Sequence, residues 1–400
     1  MVRIRVRNFG PIKDNNEWIE VGKVTLLIGS QGAGKSSIAK LLSTFLWMEK
    51  SLNRGDHSTK YFERKSRFKN QFLTYHRIEN YLKDNTEIEY EGDSYSFHYR
   101  EKNLQVTQRR NADSLPQIMY VPAERNFLTY IESFKELKVV SAALREFRDE
   151  YKNAQKTIKG AFKLPVAGAV LEYDRQNDIL HLKGDDYKLR ISETASGYQS
   201  LVPLYLVSWN LAQSIKNNSE LMMTEEERER FRKMIQDIVN NKNFTEQQQR
   251  DAISSLSGKF TKNAFVNIVE EPEQNLFPKS QWEMLLALSA INNMCGGNRL
   301  VMTTHSPYVI SYLTLMVKAH SLVDNVKRKG LDEKLNEVVP VDAVVDGAGL
   351  FVYELDETDG TYNLLEEYKG MPSDNNYLNN SLADGNEMFA ELLELEALCR

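Results

Sequence analysis

The feature that most constrains this chain is the segment GSQGAGKS at residues 29–36, which fits the pattern G-x-x-x-x-G-K-[ST]. An apolar, partly β-branched run at residues 24–28 precedes it and predicts a buried strand. Apolar residues at helical spacing over residues 37–42 predict a helix that begins at the loop. The glycines allow backbone N–H groups to face a phosphate, and the helix start adds its dipole. We therefore expect this chain to bind a nucleoside triphosphate.

Residues of this loop have separate expected roles. Lys35 should bridge the β- and γ-phosphates, and the Ser36 hydroxyl should bind Mg²⁺. The residues expected around the nucleotide are Gly29, Ser30, Gln31, Gly32, Ala33, Gly34, Lys35, Ser36 and Ser37. A Gly-rich turn could match the pattern by chance, but the agreement of strand, loop and helix favours a phosphate site.

Two adjacent carboxylates follow a second apolar run at residues 266–269. Glu270 would hold Mg²⁺ directly or through water, and Glu271 would polarise the water that attacks the γ-phosphate. Two carboxylates at a strand end could instead cap the next helix. The phosphate loop in the same chain favours the catalytic interpretation.

His305 and the segment 196–199 are further candidates. His305 follows a predicted strand at 299–304, where a neutral imidazole could contact the γ-phosphate or the attacking water. The alternative is that His305 has a purely structural role. Ser196, Gly197, Tyr198 and Gln199 open a predicted helix, which by default makes an N-cap but also suits an anion site.

Composition excludes several classes of protein. No run approaches the roughly 20 apolar residues of a membrane span, and the first residues lack the apolar core of a signal peptide. Cys295 and Cys399 cannot form a disulfide scaffold or a four-ligand zinc site. We expect a cytoplasmic protein with no membrane partner, folded as one large lobed domain or two domains.

A basic segment at residues 50–77 is a candidate contact for a nucleic acid or an acidic partner. The net charge of −5 does not exclude a local patch. Its central cations are Arg64, Lys65, Arg67 and Lys69, and aromatic residues interleave with the basic ones, as in surfaces that stack bases. The alternative is a solvated helical face over a local core.

The order of predicted elements favours an α/β fold. A strand at 265–269, a helix at 279–293 and a strand at 299–304 give the strand–helix–strand order of a parallel sheet. Other predictions are a hairpin or small sheet at 87–108, a strand at 118–121, a hairpin at 171–182, helices at 50–82, 131–160 and 198–258, an exposed polar insertion at 225–232, a loop at 372–386 and a last helix at 387–398.

Four motifs together resemble the ABC-type ATPase heads of the SMC, RecF and OLD group. Residues 8–12 (NFGPI) resemble the opening strand of that group, and residues 270–278 (EEPEQNLFP) are similar to its OLD-type Walker B and D-loop. Residues 304–307 (THSP) resemble the switch histidine, and residues 196–199 (SGYQ) resemble the ABC signature. The motifs follow the order of the group and span most of the chain.

The resemblance implies a P-loop NTPase of ABC type with a mixed central sheet, helical insertions and a signature-bearing helical lobe. The expected layout is one domain over 1–400, with an insertion at 47–115, the signature lobe at 131–260, and the Walker B, histidine and C-terminal elements at 261–400. It further implies ATP and Mg²⁺ as cofactors. Two copies would clamp ATP between the phosphate loop of one head and Ser196–Gln199 of the other.

The sequence also departs from that group. Gln31 stands where the SMC branch usually has Asn, Phe277 where OLD proteins usually have His, and Tyr198 where the signature usually has Gly. No long heptad run predicts a coiled coil, and the tail lacks a clear acidic triad for a TOPRIM nuclease. The layout therefore resembles stand-alone ATPase subunits of bacterial anti-phage systems, which act beside a separate effector or nuclease. The alternatives are an SMC- or RecF-like DNA clamp and a slow nucleotide switch that gates a partner.

Overall fold

The computed structural model describes residues 2–110, 115–130, 141–217, 225–241, 244–245, 247–249, 252–253, 256 and 262–399. The strands are β1 (Val2–Phe9), β2 (Ile19–Val21), β3 (Val24–Gly29), β4 (Leu82–Glu91), β5 (Tyr95–Arg100), β6 (Asn103–Gln108), β7 (Pro116–Val121), β8 (Phe162–Lys163), β9 (Val170–Asp174), β10 (Ile179–Lys183), β11 (Lys188–Arg190), β12 (Ala264–Glu270), β13 (Arg299–Thr303), β14 (Leu350–Leu355), β15 (Tyr362–Leu364), β16 (Glu367–Tyr368) and β17 (Met371–Pro372).

The helices are α1 (Lys35–Arg54), α2 (Thr59–Phe62), α3 (Phe127–Tyr130), α4 (Ala142–Thr157), α5 (Ser196–Lys216), α6 (Glu225–Val239), α7 (Pro278–Asn293), α8 (Pro307–Arg328), α9 (Asp332–Val338) and α10 (Tyr377–Leu398). Residues Phe68–Leu73 form a π-helical turn, and five short 3₁₀ turns that also shape the described part of the chain are Glu79–Tyr81, Ala123–Asn126, Ile191–Glu193, Val341–Ala343 and Gly347–Gly349.

A six-stranded sheet organises the molecule, with the strand order β15-β14-β3-β13-β12-β7. The five strands from β14 to β7 are parallel, and β15 pairs with β14 in the antiparallel sense. Helix α7 joins β12 to β13, as the strand–helix–strand pattern predicts. The α/β class and the mixed central sheet expected from the sequence are confirmed. Parallel strands end on one edge of the sheet, so β3, β13 and β12 bring their carboxyl ends together there.

The apolar run of β3 reflects burial on both faces of this sheet. Val24, Leu26 and Ile28 belong to a core that also contains α5, α7 and α8. Leu27 points to a second core, which contains α1. Side chains alternate along a strand, so a strand covered on both faces is apolar throughout.

The second core is closed by another sheet, with the order β2-β1-β4-β5-β6. Phe45 of α1 stacks on Tyr90 of β4 at 5.3 Å and lies 5.5 Å from Phe97 of β5, between ring centroids. Helix α1 therefore lies between the two sheets. The strands predicted at 87–108 form, and they share a sheet with β1 at the start of the chain.

A third sheet, β11-β10-β9-β8, lies beside α4 and α5. Its hairpin between β9 and β10 pairs Ile179 with Asp174, which confirms the hairpin predicted at 171–182. Asp174 accepts hydrogen bonds from the backbone N–H groups of Gln176 and Asn177, and these contacts fix the turn.

Several predicted helix boundaries are wrong. Helix α1 ends at Arg54 because Gly55 takes a left-handed conformation (φ 76°), so residues 50–82 do not form one helix. The last helix begins at Tyr377 and not at 387, since the Asn376 side chain accepts from the Asn379 N–H (3.1 Å) and caps it.

Two of the long predicted helices lie only partly within the described residues. The prediction over 131–160 corresponds to α4, and residues 131–140 lie outside the described residues. The prediction over 198–258 corresponds to α5 and α6, and most of 242–258 lies outside them as well. In the described part of the chain, no helix is both long enough and apolar enough to cross a membrane.

Candidate nucleotide-binding and hydrolysis site

The loop at 29–36 connects the end of β3 to the start of α1, as the sequence predicts. Gly29, Gly32 and Gly34 have φ values of 137°, 88° and 105°, in the range that favours glycine. A Cβ on Gly29 would lie 2.2 Å from the Leu355 carbonyl oxygen, and one on Gly34 would lie 2.9 Å from Ile12 Cγ1. The tight curl of the loop therefore depends on these glycines.

Lys35 is 4% exposed at the first position of α1. Its Nζ donates to the carbonyl oxygens of Gly29 (2.8 Å) and Ser30 (2.6 Å), and it lies 3.3 Å from His305 Nδ1. Burial lowers the pKa of Lys35 to about 8, while the nearby carboxylates, Glu271 foremost, act in the opposite direction. The ammonium group is thus held at the mouth of the loop, partly stripped of water.

His305 follows β13 and lies between Lys35 and Glu271. Burial, and then the charge of Lys35, lowers the pKa of His305 below its usual value, so the ring is neutral at pH 7. An ammonium group can only donate, so the contact of Nδ1 with Lys35 favours the tautomer with the ring proton on Nε2. Nε2 is 3.7 Å from Glu271 Oε1. The structure therefore joins Lys35, His305 and Glu271 in one chain of contacts.

The two predicted carboxylates occupy different environments at the end of β12. Glu270 is 3% exposed, and its Oε2 accepts from the Ala123 N–H at 3.3 Å. Its Oε1 is buried, and among the described residues the Tyr120 hydroxyl is the polar group that interacts with the Glu270 side chain from β7. The Glu271 side chain is one-third exposed, so water can reach it.

The backbone of Glu271 is strained and held in place. Its φ of 45° is rare for a residue other than glycine. Its N–H donates to the Thr303 carbonyl of β13 at 3.0 Å, and its own carbonyl accepts from Arg125. Strained residues that neighbours over-determine cluster at functional sites.

The oxygens at this edge fit a magnesium ion. Glu270 offers a buried carboxylate oxygen, and Ser36, half-buried at the second position of α1, offers a hydroxyl. Mg²⁺ prefers oxygen ligands and is usually held by one or two carboxylates together with substrate phosphates. Among the described residues, no group of three or more His, Cys, Asp and Glu could hold a metal ion.

Arg125 is a central residue of the site that the sequence analysis did not single out. It is fully buried, and its guanidinium donates to four carbonyl oxygens: Ser200 (3.0 Å), Pro122 (3.2 Å), Glu270 (2.7 Å) and Glu271 (2.6 Å). Burial lowers its pKa to about 10, with the surrounding glutamates opposing that shift. The arginine ties the end of β12 to the start of α5.

Glu273 is a second residue without an assigned role in the sequence analysis, although it lies within the motif at 270–278. Its Oε1 accepts from Thr304 Oγ1 (2.7 Å) and from the His305 N–H (2.8 Å). Burial raises the pKa of Glu273, and the two hydrogen bonds only partly offset this. Glu273 thereby orients the turn that presents His305.

The segment 196–199 forms the first turn of α5, beside the turn that follows Glu271. Ser196 is exposed, and the capping position is Ala195, which makes no side-chain cap, so the plain N-cap interpretation of Ser196 is wrong. A Cβ on Gly197 would lie 2.9 Å from the Asn275 carbonyl oxygen. Asn275 also donates to Ser200 Oγ at 2.9 Å.

Gln199 differs from the three residues before it. It is 2% exposed, and its Nε2 donates to the carbonyl oxygens of Ser192 (3.2 Å) and Thr194 (2.8 Å). Tyr198 is half-buried against the core that contains α5. Of the predicted signature, Ser196 is therefore the side chain presented to solvent.

The basic segment at 50–77 only partly matches the prediction. Phe62, Phe68 and Phe72 are buried in the core beneath α1, so they cannot form a base-stacking surface. Arg67 lies over the Tyr61 ring at 3.9 Å and donates to the Tyr61 carbonyl, which fixes it locally. The predicted patch cations that are exposed are Arg64, Lys65 and Lys69.

Comparison with known proteins is consistent with this site. Residues 1–135 match the family described as AAA ATPase domain, a range that contains the phosphate loop and Arg125. No curated protein sequence matches the chain.

Similar solved structures include SMC head domains and RecF, all at low identity. The SMC head domain from Thermotoga maritima is 9% identical with a TM-score of 0.37, and the match covers 92% of this chain and 98% of that one. An Smc head bound to the C-terminal winged-helix domain of ScpA is 13% identical with a TM-score of 0.36, covering 91% and 96%. The recombination mediator RecF is 12% identical with a TM-score of 0.32, covering 91% and 97%.

At these TM-scores the likeness supports no statement about activity. The assignment depends on the sequence match and on the geometry of this chain, in which a glycine-rich loop links a central parallel strand to a helix. The first 135 residues of this chain thus match an AAA ATPase domain, and their glycine-rich loop lies at the edge of the central sheet of a mixed α/β fold.

Proposed function

We propose that this protein binds ATP with Mg²⁺ and hydrolyses it to ADP and phosphate. The observation that carries the proposal is the contact chain of Lys35, His305 and Glu271 at the carboxyl ends of β3, β13 and β12. The three residues come from distant parts of the sequence, and the sheet brings them to one edge. Phosphoryl transfer requires a cation at the phosphates and a base beside the attacking water, and this edge offers both.

In the proposed reaction the loop at 29–37 surrounds the phosphates through its N–H groups. Lys35 exchanges its contacts with the Gly29 and Ser30 carbonyls for phosphate oxygens. Ser36 and Glu270 would hold Mg²⁺, which supplies charge neutralisation at the β- and γ-phosphates when bound. Glu271 accepts the proton of the attacking water, since it is the exposed carboxylate of the pair.

His305 is proposed to orient that water or the γ-phosphate. Its ring is neutral at pH 7 and carries its proton on Nε2, so it can donate a hydrogen bond toward a phosphate oxygen. Its Nδ1 accepts from Lys35, and Glu273 fixes the backbone beneath it. The ring is therefore held on two sides before any substrate arrives.

We further propose that two copies associate on binding ATP, with Ser196 of each copy facing the nucleotide of the other. The support is the exposure of Ser196 at the start of a long helix, together with the link from that helix to Glu271 through Arg125. The first turn of a helix suits a phosphate because its N–H groups point outward. ATP would favour the associated state through its differential affinity, and hydrolysis would release it.

The experiment that tests this function is a Glu271→Gln variant measured for ATP turnover, ATP binding and mass in solution. The amide keeps the shape of the side chain but cannot accept the proton, so turnover should fall by about 100-fold or more while ATP binding persists. The variant should accumulate as a dimer with MgATP. Glu337→Gln, an exposed carboxylate on α9, is the matched control and should behave as wild type.

Different results would refute different parts of the proposal. Wild-type ATP turnover in Glu271→Gln would show that Glu271 is not the base. A variant that binds MgATP tightly yet remains a monomer would refute the two-headed clamp and leave hydrolysis intact. Turnover that survives in Lys35→Ala would refute the phosphate-loop assignment.

The proposed biological setting is a bacterial anti-phage system in which this ATPase acts beside a separate effector subunit. It follows from the resemblance of the motif set to stand-alone ATPase subunits of such systems. Phage plaque counts on cells carrying this gene with its genomic neighbours test it. Protection should be lost in the Lys35→Ala variant, and plaque counts that are unchanged by the intact genes would refute the role.

A second candidate function is a DNA clamp, which the exposed cations Arg64, Lys65 and Lys69 favour. Phosphate contacts by these side chains would make binding weaken steeply with salt. ATP turnover alone does not distinguish the two functions, whereas DNA binding at low and high salt does.

A further inference from the structure

A cavity of about 300 Å³ lies between α1 and β7, on the face of the central sheet that α1 covers. Its remaining walls are the π-helical turn at Phe68–Leu73, the residues just after that turn, and the first turns of α4. Among the described residues that line it, none belongs to the phosphate loop at 29–37. The cavity therefore does not overlap the phosphate loop, and it adjoins the end of β12, where Tyr120 of its wall interacts with Glu270.

The π-helical turn forms one side of this cavity. Gln71 and Phe72 of the turn both line it, while Phe68 and Leu73 of the same turn are buried in the core. Such turns are rare and are frequent at functional sites. Packing at both ends holds this one in place, so the cavity wall is a fixed part of the fold.

The wall contains five side chains with aromatic rings, which are Trp47 of α1, Phe72, Tyr75, His76 and Tyr120 of β7. The rings of His76 and Tyr120 meet edge to face at 4.8 Å, and those of Tyr75 and His76 do the same at 4.8 Å. Aromatic rings prefer offset-stacked and edge-to-face partners. This lining is suited to a planar ring.

The polar groups of the cavity suit a neutral molecule. Burial, and then the charge of Lys40, lowers the pKa of His76 to about 3, so its ring is uncharged at pH 7. His76 Nδ1 has no hydrogen-bond partner among the described residues. Glu146 accepts from the Tyr75 hydroxyl, and among the described residues no lysine or arginine lines the cavity. An anion would face Glu146 without a cation to balance it.

We propose that this cavity is a binding site for a small, neutral, planar heteroaromatic molecule of one or two fused rings. Its volume lies at the lower end of the roughly 300–1,000 Å³ of ligand pockets, which limits the size of the ligand. Aromatic walls with a few polar groups are the usual composition of such pockets. The ring lies among Trp47, Phe72 and Tyr120, and the His76 ring offers it a polar neighbour.

Benzimidazole is the probe for the test, with benzoate as a planar anion of similar size. Ligand-observed NMR and calorimetry measure binding of each probe to the intact wild-type protein, alone and with saturating ATP. Benzimidazole should bind, benzoate should bind at least about tenfold more weakly, and ATP should not displace benzimidazole. Failure of benzimidazole to bind, equal binding of benzoate, or displacement by ATP would each overturn the proposal.

Two variants place the probe in the cavity. Ser43→Leu on α1 and Ala143→Leu on α4 each add volume to a different wall, and each should weaken benzimidazole binding by about tenfold or more. Ala390→Leu, on the exposed part of α10, is the matched control and should bind as wild type. Thermal melting identifies which variants are folded. A folded cavity variant that binds benzimidazole as wild type would overturn the proposal. If neither variant folds, the binding measurements on the wild-type protein decide whether the proposal stands.

Discussion

Raising the pH should weaken nucleotide binding, because the Lys35 ammonium loses its proton in the free protein within the accessible range. The pKa of Lys35 is lowered to about 8, chiefly by burial. A polyphosphate placed against Nζ favours the charged form, so the pKa rises in the complex. Binding is therefore strongest below pH 8, where Lys35 is already charged, and weakens as the pH rises above it.

The size of this effect follows from the pKa. Between about pH 7 and about pH 9 the charged fraction of free Lys35 falls by about tenfold, so the affinity should fall by about tenfold. Binding at about pH 9 should take up close to one proton, against about a tenth of a proton at pH 7. His305 does not contribute, because its pKa lies below its usual value and its ring is neutral throughout this range.

The assay is isothermal titration calorimetry with a non-hydrolysable ATP analogue and Mg²⁺, in buffers of different ionisation enthalpy. Lys35→Arg should abolish the proton uptake even though it weakens binding, since a guanidinium stays charged at these pH values. Lys23→Arg is the control, because burial also lowers the pKa of Lys23 to about 8 while its Nζ contacts the Asn292 and Cys295 carbonyls instead. Affinity that does not change up to pH 9, or uptake that persists in Lys35→Arg, would refute the assignment of Lys35 to the phosphates.

Three further predictions concern residues around the site. Arg125→Lys should lower the free energy of unfolding by about 2–4 kcal/mol in chemical denaturation, because one ammonium cannot reach four buried carbonyls. A free energy of unfolding equal to that of the wild type within error would contradict this role of the guanidinium. Ser196→Arg should leave ATP binding by the monomer unchanged and prevent ATP-dependent dimers in light scattering, whereas loss of monomer binding would place Ser196 in its own nucleotide site. Reversing Arg64, Lys65 and Lys69 to Glu should remove about one unit of log–log salt slope per lost phosphate contact in DNA binding, and an unchanged slope would exclude these cations from a DNA contact.

The sequence contains enough to predict the central sheet and the phosphate loop because their signals are local. The apolar run before Gly29 and the helical spacing after Ser36 both follow from burial on two faces of one sheet. The positions of Glu270 and His305 follow from the same rule, since Glu270 ends one buried parallel strand and His305 lies just beyond the end of another. Such short-range patterns do not depend on which segments meet.

Arg125 could not be assigned a role in this way. Its sequence neighbours show only that a charged residue follows β7, and its four partners include carbonyls far away in the chain. The interpretation of the basic segment fails for the same reason. The spacing of Phe62, Phe68 and Phe72 suits a stacking surface as well as a core, and only the sheet of β1 and β4–β6 beside α1 decides between them.

Arg125 also couples the first part of α5 to the backbone at the end of β12. Its guanidinium joins the Ser200 carbonyl of α5 to the carbonyls of Glu270 and Glu271, so it links the start of α5 to the end of β12. Because of this link, the exposed first turn of α5 cannot move independently of the Glu271 backbone unless a buried, charge-assisted hydrogen bond breaks. The Arg125 side chain thus couples the start of α5 to the backbone of Glu271, the carboxylate proposed as the base. Under the proposed association, a contact made at Ser196 would therefore reach the backbone of Glu271 through this link.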